Sequence, residues 1–251
     1  MTEPLLETRG LSKQFGGLAA VNDVSVAFEA GRVHAVIGPN GAGKTTFLNL
    51  LSGEMRPTSG AVLFKGSAIT GLTPDRIARL GIGRSFQRTN VFTELTCFEN
   101  CWIAAQSRLP TSLRFFRPAG RRGDLAAAAR DSLEQCGLID RQDRIAAALS
   151  HGERRQLEIA MILATQPELL LFDEPLAGMG YRESQDVIAL LRRIAQSHTL
   201  VLIEHDMDAV FSIADRVTVL VNGTVLETGP VAAIQSSPAV QAAYLGAEEQ
   251  P

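Results

Sequence analysis

The sequence is poor in lysine and lacks any apolar stretch long enough to cross a membrane. Its only lysines are Lys13, Lys44 and Lys65, and a formal net charge of −3 gives no reason to expect nucleic acid as a partner. The best apolar runs have the length of strands, whereas a spanning helix needs ~18 apolar residues or more. The chain start shows no basic segment followed by an apolar one, so we expect no secretory signal. We therefore expect a cytosolic protein whose role at a membrane, if any, depends on partners.

Cysteine is also scarce, which argues against a metal or redox site. Cys97, Cys101 and Cys136 are odd in number, and no histidine lies at ligand spacing from them. We expect these thiols to be small buried apolar side chains in a reducing compartment.

Short apolar runs alternate with longer segments of helical periodicity, which is typical of an α/β chain with a largely parallel sheet. Asn222-Gly223, between two strand-like segments, predicts a type I′ hairpin. The predicted elements are strands at 33–37, 169–172, 199–203, 217–221 and 224–227, and helices after residue 43, at 182–196 and at 207–214.

The pattern changes between residues 91 and 155, where strand signals fade and alanines accumulate. This segment is predicted to be a mostly helical subdomain inserted into an α/β core. Residues 114–122, rich in Arg, Pro and Gly, are predicted to form a surface loop within it. Residues 246–251 are predicted to be a frayed tail.

Gly38-Pro-Asn-Gly-Ala-Gly-Lys-Thr45 matches the phosphate-loop pattern G-x-x-x-x-G-K-[ST] at every fixed position. Triphosphate oxygens must be surrounded by backbone N–H groups, which explains the glycines, and the following helix directs its positive end at the phosphates. Lys44 is predicted to reach the β- and γ-phosphates, and the Thr45 hydroxyl to bind magnesium. The alternative is a turn that merely caps a helix, but the buried strand before it and the amphipathic helix after it favour a phosphate site. Kinases, GTPases, helicases and transport ATPases all remain open at this point.

A second, acidic element narrows the class of enzyme. The segment 169–175 predicts a buried strand that ends at Asp173, which places a carboxylate at the edge of the sheet where ligands bind. Asp173 is predicted to belong to the coordination shell of magnesium, and Glu174 is predicted to polarise the attacking water. No N-K-x-D guanine-recognition element is present, because none of the lysines follows an asparagine, so adenine is the predicted base.

Leu149-Ser-His-Gly-Glu153 lies between these two elements. The three elements in this order resemble the nucleotide-binding subunits of ABC transporters, whose hallmark is an L-S-G-G-Q-like signature at this place. The resemblance implies a single α/β ABC ATPase domain: a P-loop NTPase core of the RecA-like type with a mostly parallel sheet, an N-terminal antiparallel β subdomain and an inserted α-helical subdomain. The implied boundaries are 5–245 for the domain, 5–90 and 157–235 for its nucleotide-binding core, 91–156 for the helical subdomain with the signature, and 236–251 for a C-terminal helix and tail.

The resemblance implies roles at further positions, with ATP and Mg²⁺ as cofactors. Phe15 is similar to the aromatic residue that stacks on adenine, and His205 to the histidine that contacts the γ-phosphate. Gln87 is similar to the glutamine that contacts magnesium and water and links ATP to the transmembrane partner. The implied catalytic residues are Glu174, His205 and Gln87; the magnesium ligands are Thr45, Gln87 and Asp173; the nucleotide-binding residues are Phe15, Gly38, Pro39, Asn40, Gly41, Ala42, Gly43, Lys44, Thr45, Thr46, Ser150, Gly152 and Glu153.

The signature also predicts local structure, because S-x-x-E is a capping box that would open a helix over residues 153–164. In the family this helix start faces the γ-phosphate held by the opposite subunit, so that two subunits bind ATP head to tail between them. Two positions depart from the family pattern: His151 replaces the usual first glycine, and Gly180 stands where many members have an aspartate that crosses to the partner's site. The second departure favours a heterodimer over a homodimer.

Longer segments narrow the resemblance to a subgroup. Residues 15–22, 81–87 and 157–160, with the arginine-rich insertion, are similar to the ATPases of branched-chain amino-acid importers, and urea or short-amide importers are a close alternative. The implied partners are a second ABC ATPase subunit, two transmembrane permease subunits and, indirectly, an external solute-binding protein, with no nucleic acid. The implied location is the cytoplasmic face of the cell membrane, reached through the permease subunits.

Three other functions share parts of this pattern. The importer-like segments argue against a lipopolysaccharide or lipid exporter ATPase. A single cassette without sustained heptads argues against a soluble ABC ATPase that acts on ribosomes or DNA. The presence of Lys44, Gln87, Glu174 and His205 argues against a sensor that has lost hydrolysis. The solute is chosen by the other subunits, so this sequence suggests it only by kinship.

Overall fold

The computed structural model of the protein describes residues 3–85, 90–108 and 123–245. These residues form two sheets and a group of helices, which pack around three clusters of buried apolar side chains. Gln87, the predicted loop at 114–122 and the predicted tail at 246–251 lie outside the described residues.

The central sheet has six strands. They are β4 (Val33–Ile37), β7 (Ile82–Arg84), β8 (Leu169–Asp173), β9 (Thr199–Ile203), β10 (Arg216–Val221) and β11 (Thr224–Pro230). Their order is β11-β10-β4-β9-β8-β7, and every neighbouring pair is parallel except β10 with β11. Strands β4, β8 and β9 are buried along their whole length, as expected of strands that are covered on both faces.

A second sheet is antiparallel and comes from the N-terminal part of the chain. Its strands are β1 (Leu6–Phe15), β2 (Leu18–Val24), β3 (Ala27–Phe28), β5 (Ser59–Phe64) and β6 (Ser67–Ala68). They are arranged as β2-β1-β5-β6, with β3 paired to β1. The apolar faces of this sheet, of the first helix and of the central sheet share one cluster that includes Phe28, Phe47 and Leu171.

The helices flank the central sheet and form the inserted subdomain. They are α1 (Lys44–Leu51), α2 (Pro74–Leu80), α3 (Cys97–Gln106), α4 (Gly123–Gln135), α5 (His151–Ala164), α6 (Tyr181–Ile194), α7 (Met207–Ile213), α8 (Val231–Ser236) and α9 (Pro238–Leu245). Helices α3, α4 and α5 pack on one another. Within the described residues, we find no helix with both the length and the apolar character needed to cross a bilayer.

The architecture confirms the predicted fold class, and the predicted elements appear with small shifts at their ends. The hairpin is present: Asn222 and Gly223 have φ values of 49° and 77°, the positive signs that a type I′ turn requires. The signature helix begins at His151 rather than at residue 153, because Ser150 itself is the N-cap. The three cysteines are buried and free, and burial raises the pKa of the Cys101 thiol to about 12.

Candidate functional site

Three neighbouring parallel strands end side by side at one edge of the central sheet. In register, Val36 of β4 and Asp173 of β8 both pair with Ile203 of β9. The phosphate loop follows β4. The acidic pair, Asp173 and Glu174, lies at the end of β8, and residues 204–205 follow β9. This is the carboxyl edge, where α/β folds bind their ligands.

The phosphate loop needs glycine at its two tightest positions for packing as well as for phosphate binding. Gly43 directly precedes α1 with a φ of 95°, and a Cβ there would lie 2.1 Å from the carbonyl oxygen of Ala20. A Cβ on Gly38 would lie 2.0 Å from the carbonyl oxygen of Leu220. Both neighbours are backbone atoms, which cannot move aside without displacing the strands that carry them. No larger residue fits either position.

The Lys44 side chain folds back onto the phosphate loop that precedes it. Its ammonium donates to the carbonyl oxygens of Gly38 at 2.7 Å and Pro39 at 3.1 Å. Burial lowers the pKa of Lys44, while the nearby carboxylates of Glu174 and Asp173 raise it. The loop therefore holds an amine between its own carbonyls and the acidic pair, where a phosphate would meet it.

Asp173 is buried at the end of β8. Its Oδ2 lies 3.7 Å from Nη2 of Arg84, whose guanidinium also donates to the Ser52 hydroxyl and, at 2.5 Å, to Oδ1 of Asn49. Burial raises the pKa of Asp173, and Arg84 opposes that rise. The other oxygen, Oδ1, is buried and has no hydrogen-bond partner among the described residues.

These residues fit a magnesium ion. Asp173 supplies a buried carboxylate oxygen, and Thr45 supplies a hydroxyl in the exposed first turn of α1. Mg²⁺ prefers such oxygen ligands and is usually held by one or two of them together with substrate phosphates. No group of three or more His, Cys, Asp or Glu side chains in the described ranges could hold a metal by itself. The donor set thus suits an ion that is shared with a nucleotide.

Glu174 is held in an unusual backbone conformation. Its φ is 47°, in the left-handed region, which costs a non-glycine residue ~1–2 kcal/mol. Its N–H donates to the Ile203 carbonyl at 2.9 Å. Glu204, buried after β9, accepts from the N–H groups of Leu176 at 2.9 Å and His205 at 3.3 Å. Two neighbouring strand ends thus fix the turn that carries Glu174.

His205 lies at the same edge, with its side chain 64 % exposed. Its Nδ1 is 3.9 Å from Oε2 of Glu204. Burial raises the pKa of Glu204, and its hydrogen bonds from Leu176 and His205 oppose that rise.

The phosphate loop and Glu174 border one cleft with Phe15. The cleft has a volume of about 680 Å³, within the ~300–1,000 Å³ range of small-molecule sites. Phe15 is 46 % exposed, and the Lys13 ammonium lies 5.2 Å from the centre of its ring. An exposed ring at the mouth of a phosphate site suits stacking on a flat base. The lining residues are Phe15, Leu18, Ala19, Ala20, Asn40, Gly41, Ala42, Gly43, Lys44, Thr45, Thr46, Glu174 and Asn222.

The signature residues do not line this cleft. Ser150 caps α5: its Oγ accepts from the Glu153 N–H at 3.2 Å, and its own N–H donates to Oε2 of Glu153 at 2.8 Å. The predicted capping box is therefore confirmed. Gly152 N–H donates to Oε1 of Glu183 at 3.2 Å, and Glu153 pairs with Arg141. Ser150 and His151 are exposed at the helix start, whereas Gly152 is buried.

Four residues of this region were not predicted from the sequence. Arg84 pairs with Asp173, Glu204 holds the turn after β8, and Glu183 accepts from the signature backbone. Arg155, on α5, donates to backbone carbonyls next to Glu174. Arg155 and Glu158 form a buried ion pair three residues apart; the sequence shows the spacing of the two charges, but it does not show that they are buried.

Comparison with known proteins gives a consistent result. Residues 21–177 match the family described as ABC transporter, and residues 224–250 match a family described as branched-chain amino acid ATP-binding cassette transporter. The chain is 41 % identical to the high-affinity branched-chain amino acid transport ATP-binding protein LivG of Escherichia coli, over 98 % of this chain and 99 % of that protein. It is 42 % identical to the corresponding protein BraF of Pseudomonas aeruginosa, with the same coverage.

Solved structures agree with the sequence relatives. The ADP conformation of an ATP-binding cassette of an ABC transporter superposes with a TM-score of 0.87 at 30 % identity, over 98 % of this chain and all of that one. A nucleotide-free cassette superposes with a TM-score of 0.84 at 29 % identity, over 96 % and 98 %. The resemblance drawn from the sequence motifs is confirmed, and this chain belongs to the ABC transporter family as one of its ATP-hydrolysing cassette subunits.

Proposed function

We propose that this chain binds MgATP in the cleft between Phe15 and Glu174, and that its hydrolysis drives an importer of branched-chain or related amino acids. The observation that carries the proposal is the single cleft in which the phosphate loop, an exposed aromatic ring and an acidic residue meet. The substrate class rests on the relatives, whose names assign them to branched-chain amino-acid transport.

Different residues of the cleft are expected to bind the adenine base and the phosphates of ATP. The Phe15 ring stacks on adenine, and the backbone N–H groups of residues 38–46 surround the phosphates with Lys44 as the cation. Thr45 and Asp173 would hold Mg²⁺, together with Gln87. When bound, the ion offsets phosphate charge and orients the leaving group.

Hydrolysis depends on residues after β8 and β9. Glu174 accepts a proton from water as it attacks the γ-phosphate, and the turn held by Ile203 and Glu204 fixes that carboxylate in place. His205, exposed at the neighbouring strand end, contacts the γ-phosphate. Arg84, whose Nη2 lies 3.7 Å from Oδ2 of Asp173, balances the charge of that carboxylate.

We further propose that a second ATPase subunit completes the site. Ser150, Gly152 and Glu153 do not line the cleft of their own chain, and they form the start of a helix, whose positive dipole end favours an anion. They would close the cleft of a partner arranged head to tail. His151 is exposed at the start of this helix, and Gly180 supplies no carboxylate to cross the interface, which favours a different subunit as the partner.

Two permease subunits would dock at the surface where β7 and α5 meet. An apolar cavity of about 280 Å³ opens there, lined by Ile77, Ile82, Met161 and Ile162 among others. It lies next to β7, which leads directly into residues 86–89. The chain would thus act at the cytoplasmic face of the membrane, with an external solute-binding protein as an indirect partner and with no nucleic acid.

The transport assignment can be tested by uptake in cells. Deletion of this chain is expected to abolish high-affinity uptake of labelled leucine, isoleucine and valine while leaving urea uptake unchanged. The wild-type chain should restore uptake, and the Glu174→Gln chain, made at equal abundance, should not. Loss of urea or short-amide uptake with normal leucine uptake would contradict the proposed solute and favour the alternative importer class.

The role of Phe15 predicts an effect that depends on the base. Phe15→Ala should weaken ATP binding ~5- to 150-fold, because stacking on an aromatic ring contributes ~1–3 kcal/mol per base. The measurement is titration calorimetry with ATP and, in parallel, with inorganic tripolyphosphate. Tripolyphosphate has no base, so its affinity should be the same in both proteins. An equal loss for both ligands would show that Phe15 supports the loop and does not stack on adenine.

A further inference from the structure

Arg155 joins the signature helix to the turn that carries Glu174. It lies on α5, five residues after the N-cap Ser150, and is only 3 % exposed. Its Nε donates to the Pro175 carbonyl at 3.2 Å, and its Nη2 to the carbonyls of Asp173 at 3.3 Å and Glu174 at 3.4 Å. One guanidinium thus contacts three consecutive carbonyl oxygens.

The remaining nitrogen of the guanidinium is fixed from the other side. Nη1 of Arg155 donates to Oε2 of Glu158 at 2.5 Å, one turn further along α5, and Glu158 is also buried. A planar fork held by a buried carboxylate has little freedom to rotate. A change in the orientation of α5 would therefore displace the carbonyls of residues 173–175 as well.

Those carbonyls belong to the turn that carries Glu174, so a small displacement of them would move the carboxylate of Glu174. Glu174 is held with a φ of 47°, which persists only where surrounding contacts impose it. Glu204 anchors the turn from the core through the Leu176 N–H, and Arg155 anchors it from the helical subdomain. The two anchors therefore hold the same short turn, residues 173–176, from two different elements.

We infer that Arg155 is a positioning residue, through which the signature helix of each subunit sets the geometry of Glu174 in that same subunit. This inference rests on the proposed function, since it assumes that the start of α5 engages the nucleotide of the partner subunit. Nucleotide bound in the partner's site then displaces α5 of this subunit. Through Arg155, this displacement moves the Glu174 carboxylate in the subunit's own site. The two sites of a dimer are coupled by this route.

The test compares two lysine substitutions on the same helix. Arg155→Lys keeps the charge opposite Glu158, but a single ammonium cannot contact all three carbonyls. Arg154→Lys is the matched control: its side chain is half-buried on the same turn, and it makes the same chemical change. Melting temperatures measured on both proteins report whether the fold is kept.

The first readout is hydrogen exchange of the full nucleotide-free chain, which needs no activity. The amides of Glu174, Leu176 and Ala177 should exchange faster in Arg155→Lys than in wild type and Arg154→Lys, while those of β10 stay unchanged. If Arg155→Lys does not fold, the double variant Arg155→Met, Glu158→Leu removes both buried charges together and takes its place. Unchanged exchange at 174–177 would overturn the inference.

The second readout is steady-state ATP turnover with nucleotide binding measured alongside it. Arg155→Lys should lower kcat ~10- to 100-fold, as expected of a small misplacement of a catalytic group, with the Kd for ATP within about threefold of wild type. The Hill coefficient should fall toward one, which a simple loss of stability would not cause. A normal kcat and Hill coefficient would refute the coupling. A wild-type chain that hydrolyses no ATP even when it is co-expressed with a second ATPase subunit would instead refute the proposed function, and the exchange measurement would still decide the role of Arg155.

Discussion

Replacement of Glu174 by glutamine is expected to lower ATP turnover ~10²- to 10⁴-fold, the usual contribution of a positioned general base. Glutamine has nearly the same shape and keeps the polar contacts of the side chain, but its amide cannot take a proton from water. The turn itself should survive, because it is fixed by the Glu174 N–H bond to Ile203 and by Glu204, which are both backbone contacts of the turn. Nucleotide binding should therefore remain near the wild-type value.

The measurement is magnesium-dependent phosphate release across a series of protein concentrations, with ATP binding followed separately. Glu168→Gln provides a matched control, since Glu168 directly precedes the same strand at its other end. Its carboxylate forms an exposed ion pair with Lys65 at 2.5 Å, and such pairs contribute little to stability. That variant should turn over ATP like wild type. Rapid turnover by Glu174→Gln would remove Glu174 from the role of general base and leave the proton without a known acceptor.

The dependence on protein concentration carries separate information. If a second copy completes the site, the specific rate should rise with concentration and the Glu174→Gln chain should accumulate as an ATP-bound dimer. A wild-type chain that binds ATP without hydrolysing it at any concentration would instead indicate a different ATPase subunit as the partner, as Gly180 suggests. Co-expression with such a subunit should then restore turnover, and restoration should again require Glu174.

The parts of the site that could be predicted are those encoded in short, continuous segments. The phosphate loop is bounded by a buried strand and an amphipathic helix, and each of these has its own periodicity in the sequence. Asp173 and Glu174 follow an apolar run whose length fits a strand, so their place at the sheet edge follows from topology. The N-cap at Ser150 is likewise a local pattern, and it is confirmed, although the helix begins two residues earlier than predicted.

The parts that could not be predicted are contacts between distant segments. Arg84 and Asp173 are joined across two strands that pair side by side, and nothing in the residues around Arg84 indicates that partner. Arg155 looks like one of several charged residues on a polar helix start, yet it is buried. A helical pattern gives the face on which a residue lies, but it does not show what packs against that face. The supporting contacts around the site therefore required the structure.

Lys44→Ala should weaken ATP binding at least ~100-fold, which follows if two charge-assisted contacts of ~1.5 kcal/mol or more are lost. The side chain is 8 % exposed, and its ammonium lies between the carbonyls of Gly38 and Pro39 and the carboxylates of the acidic pair. Without it, a triphosphate would face Asp173 and Glu174 with no cation from the loop. Repulsion between these charges would add to the loss of contacts.

Calorimetric titration with MgATP measures this effect, and Lys65→Ala is the control. Lys65 is one of the two other lysines in the chain; it does not line the cleft, and it forms an exposed pair with Glu168. Its removal should leave the Kd for ATP unchanged. A Kd for Lys44→Ala within about threefold of wild type would contradict every step that follows from the phosphate loop, because no weaker contact could compensate for a lost charge-assisted pair.

Lys44→Arg separates the charge from the shape of the side chain. Arginine keeps the positive charge, but its planar guanidinium is larger than an ammonium and cannot follow the same path through the loop, where Gly38 and Gly43 already lie against backbone carbonyls. We expect weak binding from this variant as well, closer to Lys44→Ala than to wild type. Near-normal binding by Lys44→Arg would mean that charge alone suffices. The close fit of the loop around the amine would then be a consequence of packing and not a requirement for binding the nucleotide.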